Sequence, residues 1–207
     1  MKVLMINGSA RENGNTAFAL GVIARELEKE GIESEIITLG KEACRDCIGC
    51  GVCRKAGKCV FDDDIVNRLV EKGSEADGFI FGTPIYYAHP SGRILSILDR
   101  MFYSGSRHFA HKPAAAIAVA RRAGTSAGLD VLNKYFTIAE MPVVSSTYWN
   151  CIHGALPGEA ERDPEGIQTM KNLAINMAWL MKSIACAKQN GITAPESCKA
   201  DRTNFIR

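Results

Sequence analysis

No run in this sequence approaches the roughly 20 consecutive apolar residues that a membrane-spanning helix needs. The opening segment MKVLMINGSA carries one lysine and a short apolar run, too little for the apolar region and small-residue cleavage site of an export signal. It reads instead as a first strand, and a cytoplasmic location is expected. Charge of one sign is scarce as well. Lys and Arg total 25 against 23 Asp and Glu, a formal net charge of +2, which gives no basis for nucleic acid or an anionic membrane surface as a partner. Repeats, low-complexity tracts and inter-domain linkers are missing, so one domain over residues 1–190 is expected, with a polar tail at 191–207. Several site signatures are missing too. No Gly-Lys-Ser/Thr closes a Walker loop, and no G-x-G-x-x-G marks a dinucleotide turn. No Ser/His/Asp arrangement or carboxylate pair stands out. His108, His111 and His153 lack metal-ligand spacing, and His89, before Pro90, reads as a turn residue.

What is there begins with short apolar runs. With 46% hydrophobic and 23% charged residues, the composition is that of an ordinary globule. Val3 to Ile6, Glu33 to Leu39, Gly78 to Gly82, Ala114 to Ala120 and Pro142 to Ser146 read as strands. Helical patterns separate them: Thr16 to Glu30, Ile65 to Lys72, Ser91 to Tyr103 and Ser126 to Ala139, with a last helix from Pro164 to Lys188. Met170, Met177 and Met181 fall at helical intervals and read as core. Strand and helix alternate, which predicts an α/β fold with a five-stranded parallel sheet covered on both faces. In such a sheet ligands bind beyond the carboxyl ends of the strands, where the strand order reverses. The informative segments are then Ser9 to Thr16, Thr83 to Pro90, Arg121 to Ser126 and Thr147 to Gly154.

The first of these joins strand to helix and is rich in small and hydroxyl residues. A helix N-terminus presents unpaired N–H groups and a positive dipole end, which suits a phosphate monoester. Ser9, Asn15 and Thr16 add donors, Arg11 adds charge, and Asn13 lies between them. The alternative is a plain turn capped by Thr16. In the second segment, Tyr86 and Tyr87 cannot both face the core, so at least one should face the cleft.

Five of the eight cysteines fall within sixteen positions: Cys44, Cys47, Cys50, Cys53 and Cys59. The run Cys47-x2-Cys50-x2-Cys53-x5-Cys59 suits a [4Fe-4S] cluster or a tetrahedral zinc, and the tight C-x2-C-x2-C spacing favours iron–sulfur. The register Cys44, Cys47, Cys50, Cys53 is open as well, as is a cysteine loop that holds no cluster. Asp62 to Asp64 reads as a cap for the following helix.

The pattern G-S-x-R-x-x-G-N-T after the first strand resembles the phosphate loop of the NADPH-dependent FMN reductase superfamily. Thr83-Pro84-Ile85-Tyr86-Tyr87, then Ser91-Gly92 and Leu98-Asp99-Arg100, resemble its second flavin loop and the helix after it. The cysteine spacing resembles the iron–sulfur flavoprotein family in particular. The resemblance implies a flavodoxin-like doubly wound sheet of strand order 2-1-3-4-5, with the cysteine-rich loop 43–61 after strand 2. It implies FMN held by Ser9, Arg11, Asn13, Asn15 and Thr16. Thr83, Pro84, Ile85, Tyr86 and Tyr87 would lie along the flavin ring. Arg121, Arg122 and Gly124 would meet the flavin or an NADPH phosphate, though this chain is richer in arginine there than the family's glycine-rich turn, and solvated surface charge is an equal alternative. Tyr148-Trp149-Asn150 would close the site. The implied activity is an FMN-dependent oxidoreductase or electron carrier, passing electrons from NAD(P)H or reduced ferredoxin to a cluster or small-molecule acceptor. A homodimer or homotetramer is implied, with Ile94, Leu95, Leu98 and Met101 serving either an interface or the core. A metal or redox sensor, and a cluster-free FMN, quinone or azo-dye reductase, are the alternatives.

Overall fold

Burial on both faces marks the inner strands of the sheet, whereas the edge strand Glu33–Thr38 stays half-exposed. In a computed structural model, which describes residues 1–201 and 203–205, β1 runs Lys2–Asn7 and β2 runs Glu33–Thr38. Along β1 the side chains alternate between two cores: Val3 and Met5 enter one, Leu4 and Ile6 the other. All four are fully buried, which is why the strand reads as a continuous apolar run. β3 runs Gly78–Tyr86, β5 runs Ala114–Ala120 and β6 runs Cys151–His153. These pair in parallel in the order β2-β1-β3-β5-β6. Numbered as parallel strands only, this is the expected order 2-1-3-4-5. The additional β4, His89–Pro90, folds back antiparallel on the end of β3.

The helices are α1 (Asn15–Lys29), a short α2 (Cys53–Ala56), α3 (Val66–Glu75), α4 (Gly92–Gly105), α5 (Thr125–Ile138) and α6 (Pro164–Gln189). α1 and α6 cover one face of the sheet, while α3, α4 and α5 cover the other. α6 opens with Pro164 after Asp163, whose carboxylate accepts from the Gly166 amide at 2.9 Å, a well-formed N-cap. Met170, Met177 and Met181 lie in the α1/α6 core. Ile94, Leu98 and Met101 are fully buried in the other core, with Leu95 packed against it, so these residues serve the core.

Three local expectations are corrected. Thr16 does not cap α1; Gly14 occupies that position, and Thr16 sits inside the first turn. Pro142 to Ser146 is not the fifth strand. The chain touches β5 there only through a bridge from Val143 to Ala114, leaves the edge, and returns to pair at Cys151. The polar run Ser145 to Asn150 bulges outward, with Ser145 O accepting from Asn176 and the Ser146 hydroxyl donating to Thr169 O. β3 runs four residues beyond Gly82, because Pro84 keeps an extended backbone and its position pairs with Val119. Of the polar tail, residues 192–201 and 203–205 are exposed, with Lys199 paired to Glu140, and Arg202, Ile206 and Arg207 lie outside the described residues. Among the described residues no helix is long and apolar enough to cross a membrane.

Phe81 of β3 centres an aromatic group, with ring centroids 5.3 Å from Phe136, 6.0 Å from Phe79 and 6.1 Å from Phe102. Phe81→Ala leaves a cavity that this rigid set cannot fill. A loss of about 3–5 kcal/mol in urea unfolding, with little change in m-value, is expected.

Candidate functional site

The carboxyl ends of β1, β3, β5 and β6 frame a cleft of about 240 Å3. β1 and β3 are neighbours whose connections leave in opposite directions, so the loops after them part and leave a crevice. The loop after β1 contributes Ser9, Arg11, Gly14, Asn15 and Thr16. Its entry is tight. The Gly8 amide donates to Gly82 O at 2.8 Å, and a Cβ on Gly8 would stand 2.9 Å from that same oxygen. Ser9 N–H donates to Asn7 Oδ1 and the Arg11 amide to the Ser9 hydroxyl, at 3.0 and 3.1 Å. No side chain caps α1 at Gly14, so the helix opens toward the cleft with its first amides free of a capping oxygen.

The other strand ends complete the walls. Pro84, Ile85 and Tyr86 come from β3, Val119, Ala120 and Arg121 from β5, and Gly154 and Ala155 follow β6. Tyr86 is the tyrosine that faces the cleft, while Tyr87 points fully into solvent. Tyr87 and Ala88 form the two-residue turn between β3 and β4, and both have positive φ, 51° and 58°, the pattern of a type I′ hairpin. Gly124, at φ 91°, caps α5 beneath that turn, where a Cβ would lie 2.6 Å from Ala88 Cα.

Several expected site residues stand apart from the cleft wall. Asn13 is exposed on the loop's outer side. Thr83 is fully buried; its hydroxyl donates to Pro84 O at 2.9 Å and accepts from the Ser91 amide at 3.0 Å, so it shapes the turn. Arg122 is exposed, with its carbonyl 3.1 Å from His153 Nε2. Asn15 lines the cleft, yet its amide donates to Leu156 O at 3.0 Å and accepts from Ala160 N at 3.3 Å, tying α1 to the loop after β6. Tyr148 and Trp149 pack on each other at 5.0 Å, half-exposed and outside the wall. Gly154 fell at the end of a segment singled out from the sequence, but sequence reasoning missed Val119, Ala120 and Ala155, the last because it placed the fifth strand too early; the Cys151-Ile152 pair after the polar run was the available signal.

A second cavity, of about 90 Å3, lies below the cysteine loop. Cys47, Cys50, Cys53 and Cys59 all line it, together with Arg100 and Tyr103 of α4. Cys44 does not. Its sulfur sits 3.9 Å from Glu42 O and 4.0 Å from Arg93, and burial, aided by Asp64 and opposed by Arg93 and Arg100, pushes its thiol up from the ordinary value. All five are free thiols. Among the described residues no three His, Cys, Asp or Glu side chains stand close enough together to hold a metal ion. The donor set nonetheless fits a thiolate-bound cluster in kind: four cysteines line one space, and Gly49 and Gly51, at φ 66° and 71°, let their segment curl around it.

Cys59 is the most buried of the four. Asn67 clamps its backbone, accepting from the Cys59 amide at 2.8 Å and donating to its carbonyl at 3.1 Å. The acidic run anchors the rest. Asp62 accepts from Asn67, Asp63 pairs with Arg45, and Asp64 pairs with Arg100 while accepting from the Val66 amide at 3.1 Å. α4 links the two cavities. The Ser91 hydroxyl at its start donates to Gly8 O at 3.0 Å, and Arg100 lies some 13 Å further along at about 1.5 Å per residue.

Comparison with known proteins agrees with this architecture. The family model described as NADPH-dependent FMN reductase matches residues 1–155. The chain belongs to that family and is an FMN-dependent oxidoreductase. It is 33% identical over 197 residues to an iron–sulfur flavoprotein of Methanocaldococcus jannaschii, covering 89% of this chain and 99% of that one. An iron–sulfur flavoprotein of Methanosarcina thermophila is 28% identical over 188 residues, covering 89% of this chain and 97% of that one. A flavodoxin from the domain Archaea superposes with a TM-score of 0.60 at 15% identity, over 88% of this chain and 99% of that chain, which shows the shared fold.

Asp64 carries a pH signature. Burial works to raise its pKa, but the Arg100 hydrogen bond, the Val66 amide and the charges of Arg100 and Arg45 prevail and hold it below the ordinary 3.8. A carboxylate depressed in the folded state gives stability that is fully present above its unfolded pKa and lost as pH falls through the folded value. Stability should therefore drop as pH falls below about 4, and Asp64→Asn should flatten that acid limb in unfolding midpoints measured across pH.

Proposed function

We propose that the cleft holds FMN with its phosphate on the loop from Ser9 to Thr16, and that Cys47, Cys50, Cys53 and Cys59 hold a [4Fe-4S] cluster. The protein then passes electrons between NAD(P)H or reduced ferredoxin and a small acceptor, in the cytoplasm, as a homodimer or homotetramer. The observation that carries the cluster reading is the sorting of thiols: four line one cavity and Cys44 is turned out of it. The flavin reading rests on the uncapped end of α1 in the cleft of a chain of this family.

Bound FMN supplies the redox chemistry, accepting a hydride or single electrons at its ring. The chain's residues position it. The first amides of α1, with the helix's positive end behind them, offset the charge of a phosphate. Ser9 and Arg11 add a hydroxyl and a guanidinium from the lip. Pro84 to Tyr86 would hold the ring from one side, with the Tyr86 side chain as an aromatic wall. Arg121 brings positive charge to the far side, suited to a reduced flavin or a nucleotide phosphate.

Ser9→Ala combined with Arg11→Ala removes one hydroxyl and one charge-assisted bond. FMN affinity, measured by fluorescence titration of the apoprotein, should weaken by about tenfold or more with the circular dichroism spectrum unchanged. Unaltered flavin retention would count against the phosphate assignment.

Anaerobically purified protein should contain about four irons and four acid-labile sulfides per chain. Cys44→Ser should keep that content and Cys59→Ser should lose it. A spectrum with flavin bands alone, after anaerobic reconstitution, would return the chain to the cluster-free reductases.

A further inference from the structure

Among the described residues Arg100 is the largest fully buried side chain, at 2% exposure, and it lies in the wall of the thiol cavity. A buried guanidinium is costly unless its donors are met. Here every donor has a partner. Nε–H points to Cys59 Sγ at 3.2 Å. Nη1 and Nη2 grip the Asp64 carboxylate in a two-point fork. Nη1 also donates to Arg45 O at 3.3 Å and Nη2 to Phe61 O at 3.4 Å. The five N–H groups of a guanidinium are thereby used, and its plane has no freedom to turn. The carbon of the guanidinium also stands 5.3 Å from the centroid of the Phe61 ring. A structural ion pair would be complete with Asp64 and the carbonyls; the fork's remaining edge is aimed at sulfur.

We propose that Arg100 is a positioning residue of the cysteine site: it donates a hydrogen bond and places its positive charge against the Cys59 sulfur, favouring the more negative, reduced form of a bound cluster and so raising its potential. Asp64 sets the angle from which it does so. The inference rests on the cluster reading given above and extends it to a residue on a different element, 41 positions from the thiol it serves. One electron added to the cluster stays there; no bond forms or breaks in the protein and no proton moves. Potentials of such centres follow hydrogen bonding to sulfur and local charge, so the guanidinium acts through both.

The test is a midpoint-potential titration of reconstituted wild type and two variants with dithionite, followed by visible absorption and electron paramagnetic resonance, with iron counted in each sample. Arg100→Lys keeps a positive charge and loses the planar fork. Arg100→Gln with Asp64→Asn removes the charge pair together, so no lone carboxylate is left buried. With four irons retained, the double variant's reduction equilibrium should fall about tenfold, which is about 59 mV for one electron, and Arg100→Lys should fall between it and wild type. Equal potentials across four-iron samples would overturn the role of Arg100 while leaving the cluster in place. Wild type that takes up no iron would overturn both together. If the double variant does not fold, Arg100→Lys decides: a lowered potential supports the assignment and an unchanged one ends it.

Discussion

The constraint on which the rest depends is the burial of β1 on both faces and both edges. β2 and β3 flank it, α1 and α6 close one side, and α3, α4 and α5 close the other. A strand so enclosed meets polar surroundings only at its ends: Lys2 pairs with Glu35 at the amino end, and Asn7 and Gly8 open the carboxyl end. The chain departs from β1 to one side of the sheet, and β3 sends its connection to the other. The crevice between those departures is a topological result, and the cleft follows from strand order before any side chain is chosen. The side chains then specialise it. Gly8 allows the loop to pass close under the Gly82 carbonyl, and Gly14 leaves the first turn of α1 without a competing cap.

The cysteine loop is organised by different physics. It buries few apolar side chains of its own, with Ile48, Val52 and Val60 left exposed, and its four-residue α2 is too short to hold it in place. Polar anchors do so: Asn67 on the Cys59 backbone, Arg100 and Asp64 beneath it, and Arg93 on the carbonyls of Lys41 and Glu42. Three of these anchors come from α3 or α4, elements of the main fold. The loop is thus an appendage whose ends are fixed by the domain, while the stretch with Cys47, Cys50 and Cys53 remains half-exposed or exposed. That division suits a site in which a rigid thiol receives a ligand set that closes from the outside.

Much of this was legible in the sequence, and the reasons are specific. The inner strands β1, β3 and β5 were visible because enclosure imposes unbroken apolar runs, as in Ala114 to Ala120, while the edge strand β2 was visible from its alternation. The fifth was misplaced because it lies at the sheet edge, where Ser145 to Asn150 can leave the ladder and find side-chain partners instead. The β3–β4 hairpin was invisible because Tyr87 and Ala88 hold a turn normally written with Asn and Gly. Among the site residues, those fixed by the loop after β1 were readable from local composition. The side-chain partners of Thr83 and Asn15, namely Ser91 and the 156–160 loop, could not be read from the sequence, since they are set by tertiary structure. From the sequence, Arg100 stands out only as the end of the Leu98-Asp99-Arg100 pattern. Nothing local to Leu98-Asp99-Arg100 indicates that its side chain ends at a sulfur.

The hairpin tip has a consequence for how this surface can change over evolutionary time. Two consecutive left-handed L-residues cost roughly 1–2 kcal/mol each relative to glycine, so the turn persists only while its surroundings hold it. Gly124 is the floor on which Ala88 rests, with no room for even a methyl group. Positions 88 and 124 are therefore sterically coupled: a side chain added at 124 requires the turn at 88 to be rerouted. The rim beside Tyr86 can diversify by exchanging this whole two-segment unit, whereas stepwise drift through single substitutions there is closed off.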